Sequence, residues 1–423
     1  MSENNPKMVF TSLYHLINKE LLRECHKEMD GNKAVGVDKI TKAEYGVNLD
    51  ANLINLVERL KRKDYKPQPS LRVYIPKATG KLRPIGMAAY EDKLVQSALS
   101  KVLMAVYEPK FADSMHGFRP NRGCHGALRE LARQVEMGKT SYIVEADIKG
   151  YFNNMDHERI YEAVRFRIAD PNILWLIKKV LNAGVVEDGK WRETTKGAEQ
   201  GNLASPVIAN ILMNYTLALW YEYTFKKECR GNSGLIIYAD DFVATFQYKN
   251  EAERFLTAIK ERFAKVGLKL EPEKTRLLEF GRFAERDRKQ RGEGKPETFD
   301  FLGFTHYCSK SYKTGKFRMK RKTASKKYRM KLKEMNIWIK QNRHLRLKDL
   351  TKKLNIKLSG HFRYYGITDN IHCTRDYLYN TERMLFKWLN RRSQRRSYTW
   401  EGFKELLKVF PLAQPRIYFN VHN

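Results

Sequence analysis

Cysteine is scarce and scattered: five in 423 residues, at Cys25, Cys124, Cys229, Cys308 and Cys373, with no C-x-x-C pair. That spacing excludes a disulfide framework and a thiolate zinc site, and it predicts reduced, mostly buried thiols. No apolar run approaches the roughly 20 residues that a membrane-crossing helix needs, and the first residues lack a signal-peptide pattern. The expectation is therefore a cytoplasmic protein with no membrane partner. No tandem repeat recurs at a fixed period. Acidic residues are also short, with 48 Asp and Glu against 80 Lys and Arg, a net charge of +32. The imbalance is local: Phe301 to Asn423 holds 30 Lys and Arg and 7 Asp and Glu, a net +23, which leaves +9 for the first 300 residues. Such asymmetry predicts a polyanion gripped mainly by the C-terminal part. Tyr, Trp and Phe interleaved with those cations favour nucleic acid over a membrane surface. A hydrophobic share of 42% argues for a folded chain, long enough for two or three domains with sizeable cores.

Against this basic background, one acidic pair stands out. Residues 235–246 read LIIYADDFVATF, two β-prone apolar runs around Asp240 and Asp241. The pattern predicts a hairpin with the acids at its tip. Adjacent carboxylates on a rigid turn repel each other unless a shared proton or a divalent cation lies between them. Upstream, YIVEADIKGYF puts Asp147 at the end of another β-prone run, Tyr142 to Ile148. Three acids from two strand ends can hold paired Mg²⁺ ions for phosphoryl transfer.

The rest of the chain alternates helical and β patterns. Leu49, Leu53, Leu56 and Leu60 share one face of a predicted helix that Pro67 and Pro69 terminate. LRVYIPKATGKLRPIGM reads as a hairpin around Ala78-Thr79-Gly80, and helices are expected over about Tyr90 to Tyr107, up to Val135, and His157 to Leu181. A short β segment near Trp191 to Thr195 precedes EQGNLASP and a helix to about Phe225. Glu251 to Val266 reads as helix, GLKLEPEKTRLLEF as a further strand pair, and the charged stretch from Gly281 to Lys295 as an exposed excursion. Thr323 to Leu407 is expected to be mostly helical. His116, His125 and His157 have no ligand-like spacing and read as structural hydrogen-bond partners, and the tyrosines of HFRYYG as helix packing.

The ordered set GVD (Gly36 to Asp38), IPK-x₃-K-x-RPIG, HGFRPNR-x₂-H, DIKGYFNNMDH, QG-x₃-SP-x₂-AN, YADDF, GLKLEPEKT and FLGF (Phe301 to Phe304) resembles a reverse transcriptase of the group II intron-encoded kind. LSGHFRYYGITDN and LFKWLNRRSQRRSYTW are similar to that family's thumb, or maturase, region. The likeness runs from about Gly31 to Phe419, and it implies an α+β right-hand polymerase. Residues 1–140 would be an N-terminal extension and fingers, and 141–305 a palm with an antiparallel sheet, its 186–206 region interleaved with the fingers. Residues 306–395 would be an α-helical thumb, and 396–423 a short C-terminal segment, the remnant or the start of a DNA-binding region.

By the same resemblance, Asp147 and Asp240 hold two Mg²⁺ ions with the backbone carbonyl of Ile148, and Asp241 completes the triad. Lys77 and Arg83 meet the triphosphate of an incoming dNTP, Phe152 excludes a ribose 2′-hydroxyl, and Gln200 sits beside the nucleotide. Arg363, Arg391, Arg392, Arg395 and Arg396 contact RNA. The implied partners are an RNA template, a group II intron RNA among them, a DNA or RNA primer and dNTPs, in bacterial cytosol or nucleoid. The implied functions are RNA-directed DNA synthesis and assistance to intron splicing and mobility. A domesticated relative serving defence or repair, and a splicing-only RNA-binding maturase, are the alternatives. No Cys/His-rich nuclease pattern follows the thumb, so an endonuclease-lacking form is expected. Where the family commonly reads P-Q-G-G, this chain has Glu199-Gln200-Gly201-Asn202.

Overall fold

The computed structural model describes residues 8–76, 82–393 and 397–422. It divides into two compact units, one of Met1–Gly123, Val144–Ala244 and Lys249–Leu277, the other of Cys124–Ile143, Thr245–Tyr248 and Leu278–Asn423. The architecture is mixed α and β, with small, largely antiparallel sheets. None of the described helices is long and apolar enough to cross a membrane.

In chain order the strands of the first 280 residues are β1 (Ser70–Pro76), β2 (Leu82–Met87), β3 (Tyr142–Asp147), β4 (Val185–Glu187), β5 (Lys190–Arg192), β6 (Ser233–Tyr238), β7 (Asp241–Phe246) and β8 (Arg276–Glu279). One sheet runs β2-β1-β4-β5, and Ile75 opposite Arg83 sets the register of its β1–β2 hairpin. The turn of that hairpin, with Lys77 on it, lies outside the described residues. A second sheet runs β6-β7-β3-β8. Its central strands β7 and β3 carry Val243, Ala244, Ile143 and Val144 fully buried, as apolar runs without polar alternation predict. The core of the first unit centres on the helices Tyr90–Tyr107 and Ser205–Met213, the latter buried along its whole length. Residues 214–225 continue that helix with wider π turns, where Arg262 Nε donates to the Thr216 carbonyl. GLKLEPEKTRLLEF does not form the strand pair its pattern suggested. Leu270 makes one bridge to Ile148, Pro272–Lys274 forms a 3₁₀ turn, and only β8 is a strand. Proline at 272 cannot donate to a ladder, so the first half cannot extend.

The second unit holds a sheet with order β11-β10-β9, made of β9 (Phe299–Phe301), β10 (Phe304–Lys310) and β11 (Phe317–Thr323). Four helices follow, Ser325–Asn342, Leu347–Tyr365, Ile371–Leu389 and Trp400–Val409. Their inward faces share one core of Ile339, Leu350, Leu354, Leu358, Phe362, Leu385, Leu389 and Phe403. The stretch 281–295 is mostly exposed, as expected, and contains a helix, Ala284–Gln290, anchored by buried Ala284. Tyr364 stacks on Phe304 and donates to the Leu302 carbonyl, so the HFRYYG tyrosines pack as expected. All five cysteines are free, but only Cys25 is fully buried and the other four are partly exposed.

Candidate active site

Two strand ends and one tight turn assemble the acid cluster. β3 delivers Asp147 at its last residue, and β6 and β7 are joined through Ala239 and Asp240. A two-residue hairpin turn needs positive φ, and Ala239 adopts φ +58° without being glycine. A segment N-terminal to the hairpin holds this conformation. His116 N–H donates to the Ile237 carbonyl at 2.9 Å, and Asn210 Nδ2 donates to the Gly117 carbonyl at 2.8 Å. A Cβ at Gly117 would sit 2.6 Å from the Ala239 nitrogen, so only glycine lets the HGF segment lie this close.

The three carboxylates feel one another. Burial raises Asp240, with the charge of Asp147 adding to the rise and Arg83 and Lys274 opposing it. Asp241 is exposed to water on one side and crowded by protein on the other. Burial of that second side, then the charges of Asp240 and Asp147, push its carboxyl up to about 7. Rises of this kind mark negative charge that the chain leaves incompletely neutralised.

The cation that partly answers it was not anticipated from the sequence. Glu271 N–H donates to the Asp147 carbonyl at 2.8 Å, and Lys149 N–H to the Lys269 carbonyl at 2.9 Å. The 3₁₀ turn that follows brings Lys274 Nζ onto Asp147 Oδ2 in a hydrogen-bonded ion pair. Lys274 thus stands as a cation on one of the candidate metal ligands. Among the described residues, no three or more His, Cys, Asp and Glu side chains are arranged to enclose a metal by themselves. The donors present are instead a few hard oxygens on strand ends, a set that suits a hard divalent cation completing its shell with waters.

Other expected site residues gather on the same unit. Arg83 is exposed on β2 and acts electrostatically on Asp240. Phe152 and Gln200 line one cavity of about 320 Å³ together with Pro84 and Arg72. Phe152 is 9% exposed and meets Phe118 edge to face, with ring centroids 6.3 Å apart. Its carbonyl accepts from Ala198 N–H at 2.8 Å, which ties the EQG loop to the segment after Asp147. Ile148 is buried beside Leu270. His157 Nε2 is bonded to the Gly197 carbonyl at 2.8 Å and His125 Nε2 to the Tyr364 carbonyl at 2.7 Å, structural roles as expected. On the second unit, Arg363 is exposed, Arg391 lies over Trp388 at 5.5 Å, and Arg392 Nη2 donates to the Leu345 carbonyl at 3.0 Å. Arg395 and Arg396 lie outside the described residues.

Glu199, the departure noted in the sequence, is built into the sheet. Burial raises its carboxyl, while Ser70 and Arg72 hold it down. Arg72 Nη2 lies 3.5 Å from Glu199 and its Nη1 3.8 Å from Glu187. A Cβ at Gly86 would fall on the Glu199 carboxylate, so the small residue on β2 makes room for the acid. Gly86 N–H donates to the Gln200 carbonyl at 2.7 Å, which places the next residue. Glu199→Ala is expected to cost about 1–3 kcal/mol by leaving Arg72 short of a partner, read as a lower midpoint in urea unfolding. A wild-type midpoint would remove this role.

The raised carboxyls also set a pH dependence. The folded chain binds protons at Asp241 more tightly than the unfolded chain does, so this contribution is whole at low pH. It is lost as pH rises from the ordinary 3.8 toward about 7. In chelator, the melting temperature of wild type relative to Asp241→Asn is expected to fall across that window, and Mg²⁺ is expected to restore it. Parallel curves with and without Mg²⁺ would contradict a cation site here.

Strand-end acids with a neighbouring lysine occupy the same unit as the Phe152 and Gln200 cavity. The family model described as reverse transcriptase (RNA-dependent DNA polymerase) matches residues 75–306, more than half of the chain. The chain belongs to the reverse transcriptase family, and the relatives it matches include a protein named as group II intron-encoded. It is 36% identical over 215 residues to group II intron-encoded protein LtrA of Lactococcus lactis subsp. cremoris, covering 50% of this chain and 36% of that one. To protein YkfC of Escherichia coli it is 36% identical over 187 residues, 44% of this chain and 49% of the relative. An uncharacterized 91 kDa protein in the cob intron of Schizosaccharomyces pombe is 33% identical over 217 residues, 50% of this chain and 26% of that protein. The matched part therefore spans less than half the length of each of these relatives.

Proposed function

We propose that the chain is an RNA-directed DNA polymerase that also binds intron RNA as a maturase. The observation that carries this reading is the meeting of Asp147, Asp240 and Asp241 beside Arg83 and Lys274, with a cavity lined by Phe152 and Gln200 on the same unit. Asp147 and Asp240, with the Ile148 carbonyl, would hold two Mg²⁺ ions, and Asp241 would add negative charge beside them. Such ions would supply activation of a primer 3′-hydroxyl and charge stabilisation of the leaving pyrophosphate.

The chain's own residues do the positioning. Arg83, and Lys77 on the turn before it, meet the triphosphate through charge-assisted hydrogen bonds. Gln200, fixed by Gly86, borders the base, and Phe152 walls off the sugar. Lys274 offsets the charge of Asp147 before substrate and cations arrive.

The right-hand arrangement follows as part of the proposal: extension and fingers in 1–140, palm in 141–305, thumb in 306–395 and a short C-terminal segment in 396–423. The surplus of cations after Phe301 supports contact with RNA phosphates, with Arg363, Arg391, Arg392, Arg395 and Arg396 as candidates. The partners are an RNA template such as a group II intron RNA, a primer and dNTPs, met in the cytoplasm. Extension of oligo(dT) on poly(rA) with Mg²⁺, run beside splicing of a flanking intron, tests both halves. Incorporation and faster splicing are expected, and absence of dTTP incorporation by folded, RNA-bound protein would defeat the polymerase half.

A further inference from the structure

The second unit contains a cavity of about 430 Å³ that the polymerase reading does not use. Side chains at helical spacing line it: Lys331, Glu334 and Trp338 from Ser325–Asn342, and Lys357 and His361 from Leu347–Tyr365. Tyr377 of the helix Ile371–Leu389 stacks flat on His361, with centroids 3.7 Å apart and planes 9° apart. Lys357 Nζ lies 5.2 Å from the centre of the Trp338 ring.

Two features here are not explained by packing. Gly360 lines the cavity inside a 19-residue helix, where glycine is a poor helix former relative to alanine. A Cβ built on it meets nothing within 4 Å, so no neighbour demands a glycine, and its missing side chain leaves that side of the cavity open. His361 is 9% exposed, and its Nε2 is buried with no hydrogen-bond partner among the described residues. Leaving such a nitrogen unpaired is unfavourable unless a ligand reaches it. Burial, with the charge of Lys331 adding to it, pulls this imidazole down to about 4, so it is neutral near pH 7 and offers one donor and one acceptor nitrogen.

We propose that this cavity takes one unstacked nucleobase of a single-stranded nucleic acid. The partly exposed Trp338 ring supplies a stacking surface, as in other single-strand sites, while Tyr377 and His361 back each other. Lys331 and Lys357 answer the flanking phosphates, in a segment that carries net +23 from Phe301 onward. Glu334, 2.9 Å from Lys331, accepts from N–H groups on the base edge. The proposal rests on the reading that the chain binds nucleic acid but not on its polymerase chemistry.

The test uses the full chain and fluorescence anisotropy with a short single-stranded RNA, the same RNA with abasic sites, and the matched DNA pair. Gly360→Leu fills the cavity at a position with open space, so it is expected to melt at or above the wild-type temperature. Wild type is expected to bind the intact strand about tenfold tighter than the abasic one, and Gly360→Leu to lose most of that difference. Base dependence with RNA and DNA alike assigns recognition to the base alone, and with RNA only it adds the ribose. Full base dependence retained by folded Gly360→Leu, or none in wild type as for a cavity that takes a peptide, overturns the proposal. Extension of annealed oligo(dT) on poly(rA) by the same variant reports the polymerase reading separately.

Discussion

Asp240→Asn is expected to reduce dNTP incorporation by about 10³-fold or more, with RNA affinity within about twofold of wild type. The substitution keeps the size of the side chain and its place on the β6–β7 turn, so the hairpin should survive. What it removes is charge, at a carboxylate that burial and Asp147 already hold above its ordinary value. A neutral amide there removes one anionic ligand and so would weaken the hold on a divalent cation. Asp147→Asn should act in the same direction and also free Lys274. The two losses should not add, because both act through one cation cluster. Single-turnover extension of an annealed primer on RNA measures both. Near-normal rates in either variant would show that these acids are not the catalytic ones.

Phe152→Val is expected to narrow the preference for dNTP over rNTP by roughly 10–200-fold, mainly by improving rNTP use. The ring is nearly buried, supported edge to face by Phe118 and Tyr151, so it is a stiff wall of the cavity that it shares with Gln200. Shortening it opens space on the side where a 2′-hydroxyl would lie. Because Phe152 also belongs to a packed aromatic group, the variant should lose some stability, typically a few kcal/mol for removing most of a buried ring. Competition between labelled dTTP and UTP on one template separates the two effects. A general loss of stability lowers both rates together, whereas a lost gate changes their ratio. An unchanged ratio would remove this role from Phe152.

Much of this arrangement is legible in the sequence because it is local. The hairpin around Asp240 and the strand that ends at Asp147 follow from β-prone runs with short polar breaks, and both are present. The resemblance to group II intron-encoded reverse transcriptases, carried by an ordered set of short motifs, agrees with the family match. What escaped depends on pairing across long separations. Lys274 reaches Asp147 only because Leu270 bridges Ile148, a contact that no window around Lys274 contains. The hairpin of β10 and β11 was hidden differently. FRMKRKT alternates as a strand should, but its cations mask the signal, and Arg321 is fully buried there against expectation for its type. Glu199 reads as a departure from a motif, and only the Gly86 backbone beside it explains where such a side chain fits.

Mn²⁺ binding, followed by electron paramagnetic resonance on the chain bound to a primer and RNA template with a non-reactive dNTP, tests the central claim most directly. Wild type is expected to hold Mn²⁺ that Mg²⁺ displaces, and Asp147→Asn and Asp240→Asn each to lose most of it. Equal Mn²⁺ binding by all three proteins would contradict the account.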